Sequence, residues 1–216
     1  MQRVCDNRAT HPETKTLSTD NKLVLASANP GKIKELQQML DPLGIEVIPQ
    51  TELSIPDIEE TGLSFVENSI LKARNAAALS GLPAIADDSG LEVDYLQGAP
   101  GIYSARFAGA NATDASNRDK LLEQLAGVPA EQRTARYQTL VVYMRNASDP
   151  TPIICQGTWE GTIASDERGD GGFGYDPVFI VPETGCRAAE LDKDRKNRLS
   201  HRGKAMANLL LRLQNQ

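Results

Sequence analysis

The sequence is poor in the residues that usually form disulfides or hold soft metals. Its 216 residues include three cysteines, Cys5, Cys155 and Cys186, and two histidines, His11 and His201. The cysteines are odd in number, lie far apart and form no CxxC pair, so the sequence indicates neither a disulfide framework nor a zinc site. Because imidazoles are so few, any metal would take oxygen ligands. We expect reduced thiols and a cytoplasmic protein.

Long apolar runs and a net positive charge are also absent. No apolar run approaches the roughly 18 residues of a membrane span, and residues 1–22 lack the apolar core of a secretory signal. The formal net charge of -6 offers no general surface for a polyanion, so a phosphate would have to meet a local basic pocket. These absences predict no membrane partner and no nucleic-acid partner, and they favour a nucleotide as ligand.

What remains is an ordinary globular composition, with 40% hydrophobic and 24% charged residues. A chain of this length can bury a core without support from disulfides or metals. Residues 1–22 are polar and mixed in charge, and we predict that they form a flexible extension. Residues 23–216 contain no repeat, low-complexity tract or linker, and we predict that they form a single domain.

Residues 82–93 carry the most informative pattern, an apolar run that delivers two carboxylates and a hydroxyl and then reaches a glycine. These polar residues and the glycine are Asp87, Asp88, Ser89 and Gly90. Paired carboxylates at the end of a buried strand suit a hard cation such as Mg²⁺. The alternative is an Asx-type turn between two strands, and this stretch alone does not decide between them.

A short apolar strand over residues 23–26 leads into a turn and a helix. Asn29 as N-cap and Pro30 at the first helical position form a helix start signal. Free backbone N–H groups, the positive end of the helix dipole and the Lys32 ammonium would together cradle a phosphate. The pattern is not a P-loop, because Ile33 cannot supply the hydroxyl that holds Mg²⁺ in that motif. A plain strand-to-helix turn is the alternative.

A capping box at residues 64–67 opens a predicted helix that ends at Gly81. Asn68 and Lys72 lie four residues apart and therefore share one face of this helix. One interpretation is that both point across the same cleft as Lys32. For Lys72 the alternative is simple exposure to solvent, which the spacing alone favours.

The remaining segments consist largely of successive predicted strands. We predict strands at 44–48, 136–144, 153–156 and 158–163, with breaks at Gly157 and Gly161, and a helix at 114–125. Because few helices separate these strands, we expect an antiparallel or mixed portion added to an α/β part. In the turn-rich segment 98–106, Tyr103 and Arg106 suit either a subunit contact or the substrate, and the sequence leaves both open.

Two further segments suit a nucleotide. Residues 169–177 pack four glycines and two aromatics into nine residues, which would let an aromatic face and a carboxylate approach a flat ligand. A flexible turn is the alternative. Lys196, His201 and Arg202 cluster near the start of the last helix, with Ser200 as its N-cap. That cluster indicates a second anion or nucleobase site or, alternatively, a basic surface turn.

Together, these segments resemble the inosine triphosphate pyrophosphatase, or RdgB-type, family of non-standard purine nucleoside triphosphatases. The matching stretches occur in the family's order and span residues 23–214. They are LASANPGK at 25–32, EETG at 59–62, FVEN at 65–68 with KA at 72–73, ADDSGL at 86–91, GAPG at 98–101, GFGYDP at 172–177 and LSHRG at 199–203.

The resemblance implies an elongated α/β fold, with a mixed sheet, helices on both sides and a central active-site cleft. It implies a homodimer that uses one or more Mg²⁺ ions per subunit. The implied reaction is hydrolysis of ITP, dITP and XTP to the monophosphate and pyrophosphate, which would keep these nucleotides out of DNA and RNA.

The same resemblance assigns roles to residues. Asp88 would accept a proton and, with Glu60, would bind Mg²⁺, while Phe173 would stack on the base. The substrate-binding residues would be Ser27, Ala28, Asn29, Pro30, Gly31, Lys32, Lys72, Ser89, Phe173, Gly174, Tyr175, Asp176, Lys196, His201 and Arg202.

The residues leave two points of chemistry open. A metal-bound Asp is a poor base, so Asp87 or Glu60 could share the role of Asp88. A donor such as Arg202, aimed at position 6 of the base, would favour a keto group over the amino group of adenine. It leaves the rejection of GTP unexplained, because GTP also carries a 6-keto group.

The chain departs from the family in the first turn, where Ser27, Ala28 and Asn29 replace the usual Thr-Gly-Asn. Ser27 keeps the hydroxyl, but Ala28 would be strained if the turn needed a positive φ. We therefore predict a negative φ for Ala28.

Two rival functions compete with the one that the resemblance implies. A pyrophosphatase with another preference, such as modified pyrimidines or dUTP, would use the same residue types. A sensor that binds nucleotides without hydrolysing them would need the lysines and the aromatic loop but not the acids. The presence of Glu60, Asp87 and Asp88 together disfavours the sensor.

Overall fold

The computed structural model describes residues 22–41 and 44–214. Of the predicted extension, residues 1–21 lie outside the described residues, and Lys22 begins the first strand. The strands are β1 (Lys22–Leu25), β2 (Glu46–Pro49), β3 (Ala84–Val93), β4 (Thr134–Met144), β5 (Ile153–Ile163) and β6 (Phe179–Ile180). The α-helices are α1 (Pro30–Leu40), α2 (Phe65–Ser80), α3 (Asp114–Gln124), α4 (Lys193–Leu199) and α5 (His201–Gln214). Within the described ranges, no helix has the length and apolar character needed to cross a membrane.

The strands form one mixed sheet in the order β2-β1-β3-β4-β5-β6. β1 pairs in parallel with β2 and β3, whereas β3, β4, β5 and β6 pair antiparallel. The predicted combination of an α/β part with an antiparallel portion is confirmed. The chain passes from β1 through α1 to one side and returns through α2 to the other, so β1 and β3 flank a topological switch point. Ligands of open α/β sheets bind at such a point, beyond the carboxyl ends of the strands.

Helices cover both faces of the sheet, as predicted. On one face, Ala73 of α2 packs against Ala86 of β3. On the other face, Leu36 of α1 and Met206 of α5 share an apolar cluster with Ile85 of β3. Because Ile85 and Ala86 are consecutive in a strand, they point to opposite faces, and one strand serves both layers.

Helix α2 begins and ends where the sequence predicts. The Ser64 side chain accepts a hydrogen bond from the backbone N–H of Glu67, and the Glu67 carboxylate accepts one from the Ser64 hydroxyl at 2.7 Å. Gly81 ends the helix with a left-handed φ of 70°. Glycine adopts this conformation without the steric cost that a side chain imposes.

Strand β5 differs from its prediction. The sequence predicted strands interrupted at Gly157 and Gly161, but residues 153–163 form one continuous strand. A Cβ at Gly157 would lie 1.9 Å from the carbonyl oxygen of His201, and one at Gly161 would lie 2.4 Å from the ring of Phe179. These glycines therefore permit close packing of α5 and β6 and do not mark breaks.

One carboxylate holds the turn between β4 and β5. Asp149 accepts hydrogen bonds from the backbone N–H groups of Arg145 at 3.1 Å and Thr151 at 3.0 Å. The Arg145 guanidinium donates to the same carboxylate at 2.6 and 3.0 Å. The hydrogen bonds from Arg145 hold the pKa of Asp149 well below its usual range.

We expect Asp149→Asn to lower the free energy of unfolding at pH 7 by about 1–3 kcal/mol, because an amide cannot accept all of these hydrogen bonds. The pKa of Asp149 is lower in the folded than in the unfolded protein. Its stabilising contribution is therefore complete above about pH 4 and is lost as the pH falls through the folded value. In urea unfolding, the difference in the free energy of unfolding between wild type and variant should become smaller as the pH is lowered. Asp119→Asn, on the exposed side of α3, is the control, and a gap independent of pH would contradict the prediction.

Candidate active site

The candidate site is a cleft where β1 ends and β3 continues. β1 pairs with β3 only at Val24–Ala84 and Leu25–Ile85, so the rest of β3 extends past the end of β1. A cleft of about 480 Å³ opens there. The loop after β1, helices α2 and α5, strand β3, the glycine-rich loop and a 3-10 helix at Gly101–Arg106 all line it. The cleft therefore lies at the topological switch point.

Asp87 and Asp88 point to opposite faces of β3. Their neighbours across the antiparallel pair are Val141 and Leu140, respectively. The sequence suggested that the two carboxylates would face one cation as a pair, and the structure corrects this, because successive side chains of a strand alternate. The side chain of Asp87 lies on the sheet face that α1 and α5 cover, whereas the side chain of Asp88 lies on the face that α2 covers.

Asp87 is the counter-charge of the buried Arg202 and of the partly buried Lys32. Its Oδ2 accepts hydrogen bonds from Nε and Nη2 of Arg202 at 3.2 and 3.1 Å, and it lies 3.1 Å from Nζ of Lys32. Nη2 of Arg202 also donates to Oγ of Ser89 at 3.1 Å. Although burial acts to raise the pKa of Asp87, Lys32 and Arg202 hold it well below its usual range. Asp87 is therefore a fixed anion and a poor proton acceptor.

Asp88 contacts polar groups of α2. Its Oδ1 accepts a hydrogen bond from Nζ of Lys72 at 3.1 Å, and its Oδ2 accepts one from Nδ2 of Asn68 at 3.2 Å. The Lys72 ammonium also donates to Oε1 of Glu60 at 2.8 Å. Lys72 lines the same cleft as Lys32, although the helical spacing alone favoured simple exposure to solvent. One lysine thus bridges two carboxylates that come from separate segments.

The carboxylates of the site differ in their affinity for a proton. Burial raises the pKa of Asp88. Burial acts in the same direction on Glu60, but the neighbouring Lys72 ammonium outweighs it and the pKa of Glu60 is lowered. Asp88 thus differs from Asp87 and Glu60, whose pKa values are both lowered.

The start of α1 differs from its prediction in one respect. Oδ1 of Asn29 accepts hydrogen bonds from the N–H groups of Gly31 at 2.9 Å and Lys32 at 3.2 Å. The N–H group of Asn29 donates to Oγ of Ser27 at 3.2 Å. The amides that were expected to be free for a phosphate are therefore occupied, because Asn29 acts as the N-cap. The positive charge available at this end of the cleft is the Lys32 ammonium.

The turn before α1 has the backbone that we predicted. Within the described ranges, the non-glycine residues with positive φ are Ser54 and Gln97, so Ala28 has a negative φ. Ala28 lines the cleft with its neighbours on both sides. Pro30 begins α1, and Gly31 lies against Phe173, where a Cβ would come 2.7 Å from the ring.

At the other end of the cleft, Lys196 connects two carboxylates. Its Nζ donates to Oδ2 of Asp176 at 2.7 Å and to Oε1 of Glu35 at 2.9 Å. Glu35 also accepts a hydrogen bond from Arg202. Sequence reasoning missed Glu35, although its position one helical turn after Lys32 places it on the same side of α1. Each buried cation here has a carboxylate partner, which offsets the cost of removing it from water.

The ring of Phe173 lies over cations. The Lys196 ammonium is 4.8 Å and the Arg202 guanidinium carbon 5.6 Å from the ring centroid, both within cation–π range. The N–H group of Phe173 donates to Oδ2 of Asp176 at 2.9 Å. The loop thus presents one aromatic ring at the basic end of the cleft.

The glycine-rich loop is held by contacts with α3 and with the 3-10 helix Gly101–Arg106. The N–H group of Gly174 donates to Asp114 of α3 at 2.7 Å, and its carbonyl oxygen accepts a hydrogen bond from Arg118 at 2.9 Å. The Tyr175 hydroxyl donates to the carbonyl oxygen of Ser104 at 2.8 Å, and the residue is only 4% exposed. Tyr175 therefore anchors the loop in the core.

His201 packs against Tyr137, a residue of β4 that sequence reasoning missed. The two rings stack with centroids 4.7 Å apart and planes 8° apart. The Tyr137 hydroxyl donates to Oδ1 of Asp176 at 3.3 Å. Burial lowers the pKa of His201 well below its usual value, so its imidazole is neutral. Nδ1 of this ring has no hydrogen-bond partner among the described residues.

The charges of the cleft nearly cancel. In the described part of the chain, the lining includes six carboxylates and five cationic side chains, namely Asp57, Glu60, Asp87, Asp88, Asp114 and Asp176 against Lys32, Lys72, Arg106, Lys196 and Arg202. A nucleoside triphosphate carries several negative charges. Its binding therefore calls for positive charge beyond what these side chains supply.

The residues around Lys72 fit a Mg²⁺ ion that shares its ligands with phosphates. Across residues 22–41 and 44–214, no three His, Cys, Asp or Glu side chains are grouped to hold a metal unaided. Mg²⁺ is usually bound through one or two carboxylates, with phosphate and water oxygens completing its shell. Glu60 and Asp88, both hydrogen-bonded to the Lys72 ammonium, offer such carboxylates.

Comparison with known proteins agrees with this geometry. The Ham1 family profile matches residues 23–211. The chain is 57% identical over 193 residues to the dITP/XTP pyrophosphatase of Photobacterium profundum, covering 89% of this chain and 98% of that protein. It is 56% identical over 194 residues to the dITP/XTP pyrophosphatase of Salmonella typhimurium, covering 90% and 98%.

Solved structures give the same result. A HAM1 protein from Coxiella burnetii has a TM-score of 0.83 and 52% identity, over 90% of this chain and 99% of that one. The Ham1 protein of Staphylococcus aureus has a TM-score of 0.79 and 39% identity, over 90% and 98%. These matches confirm the resemblance drawn from the motifs, and the chain belongs to the Ham1 family.

Proposed function

We propose that the protein hydrolyses ITP, dITP and XTP to the nucleoside monophosphate and pyrophosphate, and so keeps these nucleotides out of DNA and RNA. One observation carries the proposal: a single cleft joins a partly buried carboxylate–lysine cluster around Asp88 to an aromatic ring, Phe173, that is flanked by cations. The first end suits phosphates and the second suits a purine. The name of the Photobacterium profundum relative, matched over 98% of its length, supports the assignment.

The triphosphate would lie between the turn after β1 and the polar face of α2. Ser27 and Asn29 supply hydrogen-bonding groups there, and Lys32 and Lys72 supply charge. The Lys32 ammonium is held 3.1 Å from Asp87 before substrate arrives. Preorganised charge of this kind stabilises a transition state without reorganisation at the moment of reaction.

Mg²⁺ would bind to Glu60 and Asp88 together with phosphate oxygens. When bound, the ion would neutralise phosphate charge and polarise the phosphorus that is attacked. The Lys72 ammonium now lies between these carboxylates, 2.8 Å from Glu60 and 3.1 Å from Asp88. Lys72 would then turn its ammonium towards the phosphates.

Asp88 would accept the proton of the attacking water. The water oxygen forms a bond to the α-phosphorus, the bond from that phosphorus to the bridging oxygen breaks, and its electron pair leaves with pyrophosphate. Asp88 suits this role better than Asp87, which is committed to Lys32 and Arg202.

The purine would stack on Phe173. Arg202 is 1% exposed and hydrogen-bonded to Asp87, Glu35 and Ser89, so the direction of its N–H groups is fixed. A fixed donor beside position 6 favours a keto oxygen and opposes an amino group, because a buried donor without a partner is costly. Asp176, Lys196 and the neutral His201 complete this end of the cleft.

The test is release of pyrophosphate and orthophosphate, scored separately, from ITP, XTP, dITP, ATP, GTP and dUTP. We expect pyrophosphate from ITP, XTP and dITP at rates about 10²-fold above those for ATP. EDTA should lower these rates by about 10²-fold. Orthophosphate as product would contradict the reaction, preference for dUTP would contradict the base assignment, and binding without turnover would indicate a sensor.

We further propose that the protein acts as a homodimer in the cytoplasm, which the family resemblance supports. Static light scattering should return twice the mass of the chain. A monomer that turns over ITP at full rate would contradict the dimer and leave the reaction standing.

A further inference from the structure

Arg106 differs from the other cations of the cleft. It ends the 3-10 helix Gly101–Arg106, and 44% of its side chain is exposed. Its nearest carboxylate oxygen is Oε2 of Glu60 at 3.7 Å, beyond hydrogen-bonding distance. Its guanidinium lies 5.0 Å from the ring centroid of Tyr103. Arg106 therefore lies beside the carboxylate–lysine cluster without a hydrogen-bonded carboxylate of its own in the described part of the chain.

The other cations that line the cleft are already committed. Lys32 and Arg202 contact Asp87, Lys72 bridges Glu60 and Asp88, and Lys196 bridges Glu35 and Asp176, all at distances of 3.2 Å or less. A new anion must compete with these carboxylates for each of them. At Arg106, a new anion would meet a planar guanidinium with five N–H donors, and it would have no hydrogen-bonded carboxylate to displace.

The backbone that carries Arg106 is fixed in place. Oγ of Ser104 accepts a hydrogen bond from the N–H group of Leu91 at 2.9 Å and donates to the carbonyl oxygen of Gly101 at 2.6 Å. The Asn117 side chain accepts from the N–H group of Ala108 at 2.7 Å and donates to the carbonyl oxygen of Ala105 at 3.1 Å. A partly exposed side chain on a fixed backbone can reach a group in the cleft without movement of the main chain.

We propose that Arg106 binds the two terminal phosphates of the substrate and stabilises the departing pyrophosphate. This inference rests on the proposed function, in which the electron pair of the broken bond leaves on the bridging oxygen. The guanidinium fork donates two parallel hydrogen bonds to phosphate oxygens and offsets that developing charge. Its position next to Glu60 places it on the phosphate side of the cleft, away from Phe173 and Lys196. The sequence left open whether Arg106 serves a subunit contact or the substrate, and this proposal assigns it to the substrate.

The experiment compares Arg106→Ala, Arg106→Lys and the control Arg136→Ala, which removes a partly exposed arginine paired with Asp94 outside the cleft. Each variant is assayed for ITP turnover, and binding of inorganic pyrophosphate and of IMP is measured by calorimetry with Mg²⁺. For Arg106→Ala we expect kcat to fall by about 10²-fold. We expect the Kd of pyrophosphate to rise at least ~10-fold while the Kd of IMP is unchanged. Arg106→Lys should retain an intermediate pyrophosphate affinity, because it keeps the charge and loses the fork.

Three outcomes would overturn the inference. Equal pyrophosphate affinity in wild type and Arg106→Ala would remove Arg106 from the phosphate site. Loss of IMP and pyrophosphate binding together would indicate general damage to the cleft. Lost turnover with a halved light-scattering mass would assign Arg106 to a subunit contact. Failure of the proposed function is separate, because it would appear as a wild-type protein that hydrolyses no ITP.

Discussion

Replacing Asp88 by Asn should lower the turnover of ITP by about 10²- to 10⁴-fold, which is the range that loss of a positioned proton acceptor produces. The amide has nearly the shape of the carboxylate but takes up no proton. Its oxygen can still accept the hydrogen bond from Lys72, so the cleft should keep its geometry and most of its nucleotide affinity. Stopped-flow measurement of pyrophosphate release, with calorimetric ITP binding on the same preparation, checks both parts.

The control for Asp88→Asn is Glu59→Gln, which removes one negative charge from an exposed position beside Glu60. That variant should retain the wild-type rate. Asn68 needs separate attention, because its Nδ2 donates to Asp88 and would face a donor in the variant. Thermal unfolding of Asp88→Asn measures this cost, which should be about 1–3 kcal/mol. Turnover of Asp88→Asn within tenfold of wild type would refute the role of Asp88 as proton acceptor.

Replacing Gly157 by Ala should destabilise the protein by about 3 kcal/mol or more, through overpacking against a backbone that cannot yield as a side chain can. The added Cβ would lie 1.9 Å from the carbonyl oxygen of His201 and 2.9 Å from the backbone nitrogen of Ala205. Helix α5 would have to move away from β5, and this movement would carry His201 and Arg202 with it. We therefore expect a large loss of stability together with a higher KM for ITP.

Gly185→Ala is the matched control for Gly157→Ala. Gly185 has a φ of 70°, and no atom lies within 4 Å of the position that a Cβ would take there, so its replacement tests backbone strain without a clash. Its cost should be about 1 kcal/mol, and ITP turnover should be unchanged. Chemical denaturation of both variants measures the difference. Equal losses of stability would contradict the close-packing explanation for Gly157.

Much of the fold was predictable because local signals there agree with the tertiary structure. Asn29 caps α1 and Gly81 ends α2, and both effects act within a few residues of the chain. The mixed sheet followed from strands that succeed one another without helices between them. The prediction for the glycines of β5 was wrong, because their effect depends on α5 and β6, which are distant in sequence.

The pairing of charges in the site was not predictable from spacing. Glu35 meets Lys196 across 161 positions of sequence, and Tyr137 stacks on His201 from another strand. No local pattern records such contacts, since they arise only when α1, β4 and α5 pack together. Asp87 and Asp88 likewise differ only because β3 lies between two helical layers. One layer supplies Arg202 to Asp87, and the other supplies Lys72 to Asp88.

The alternation of side chains along β3 also limits how this protein can change in evolution. Within β3, which spans ten residues from Ala84 to Val93, Asp87 serves one face and Asp88 the other. A substitution can adjust either carboxylate independently. Insertion or deletion of a single residue between Ala84 and Asp87 would instead exchange the two faces, leaving Arg202 and Lys32 opposite the wrong side chain. Lineages of this protein should therefore diverge in the length of their loops while the length of β3 stays constant.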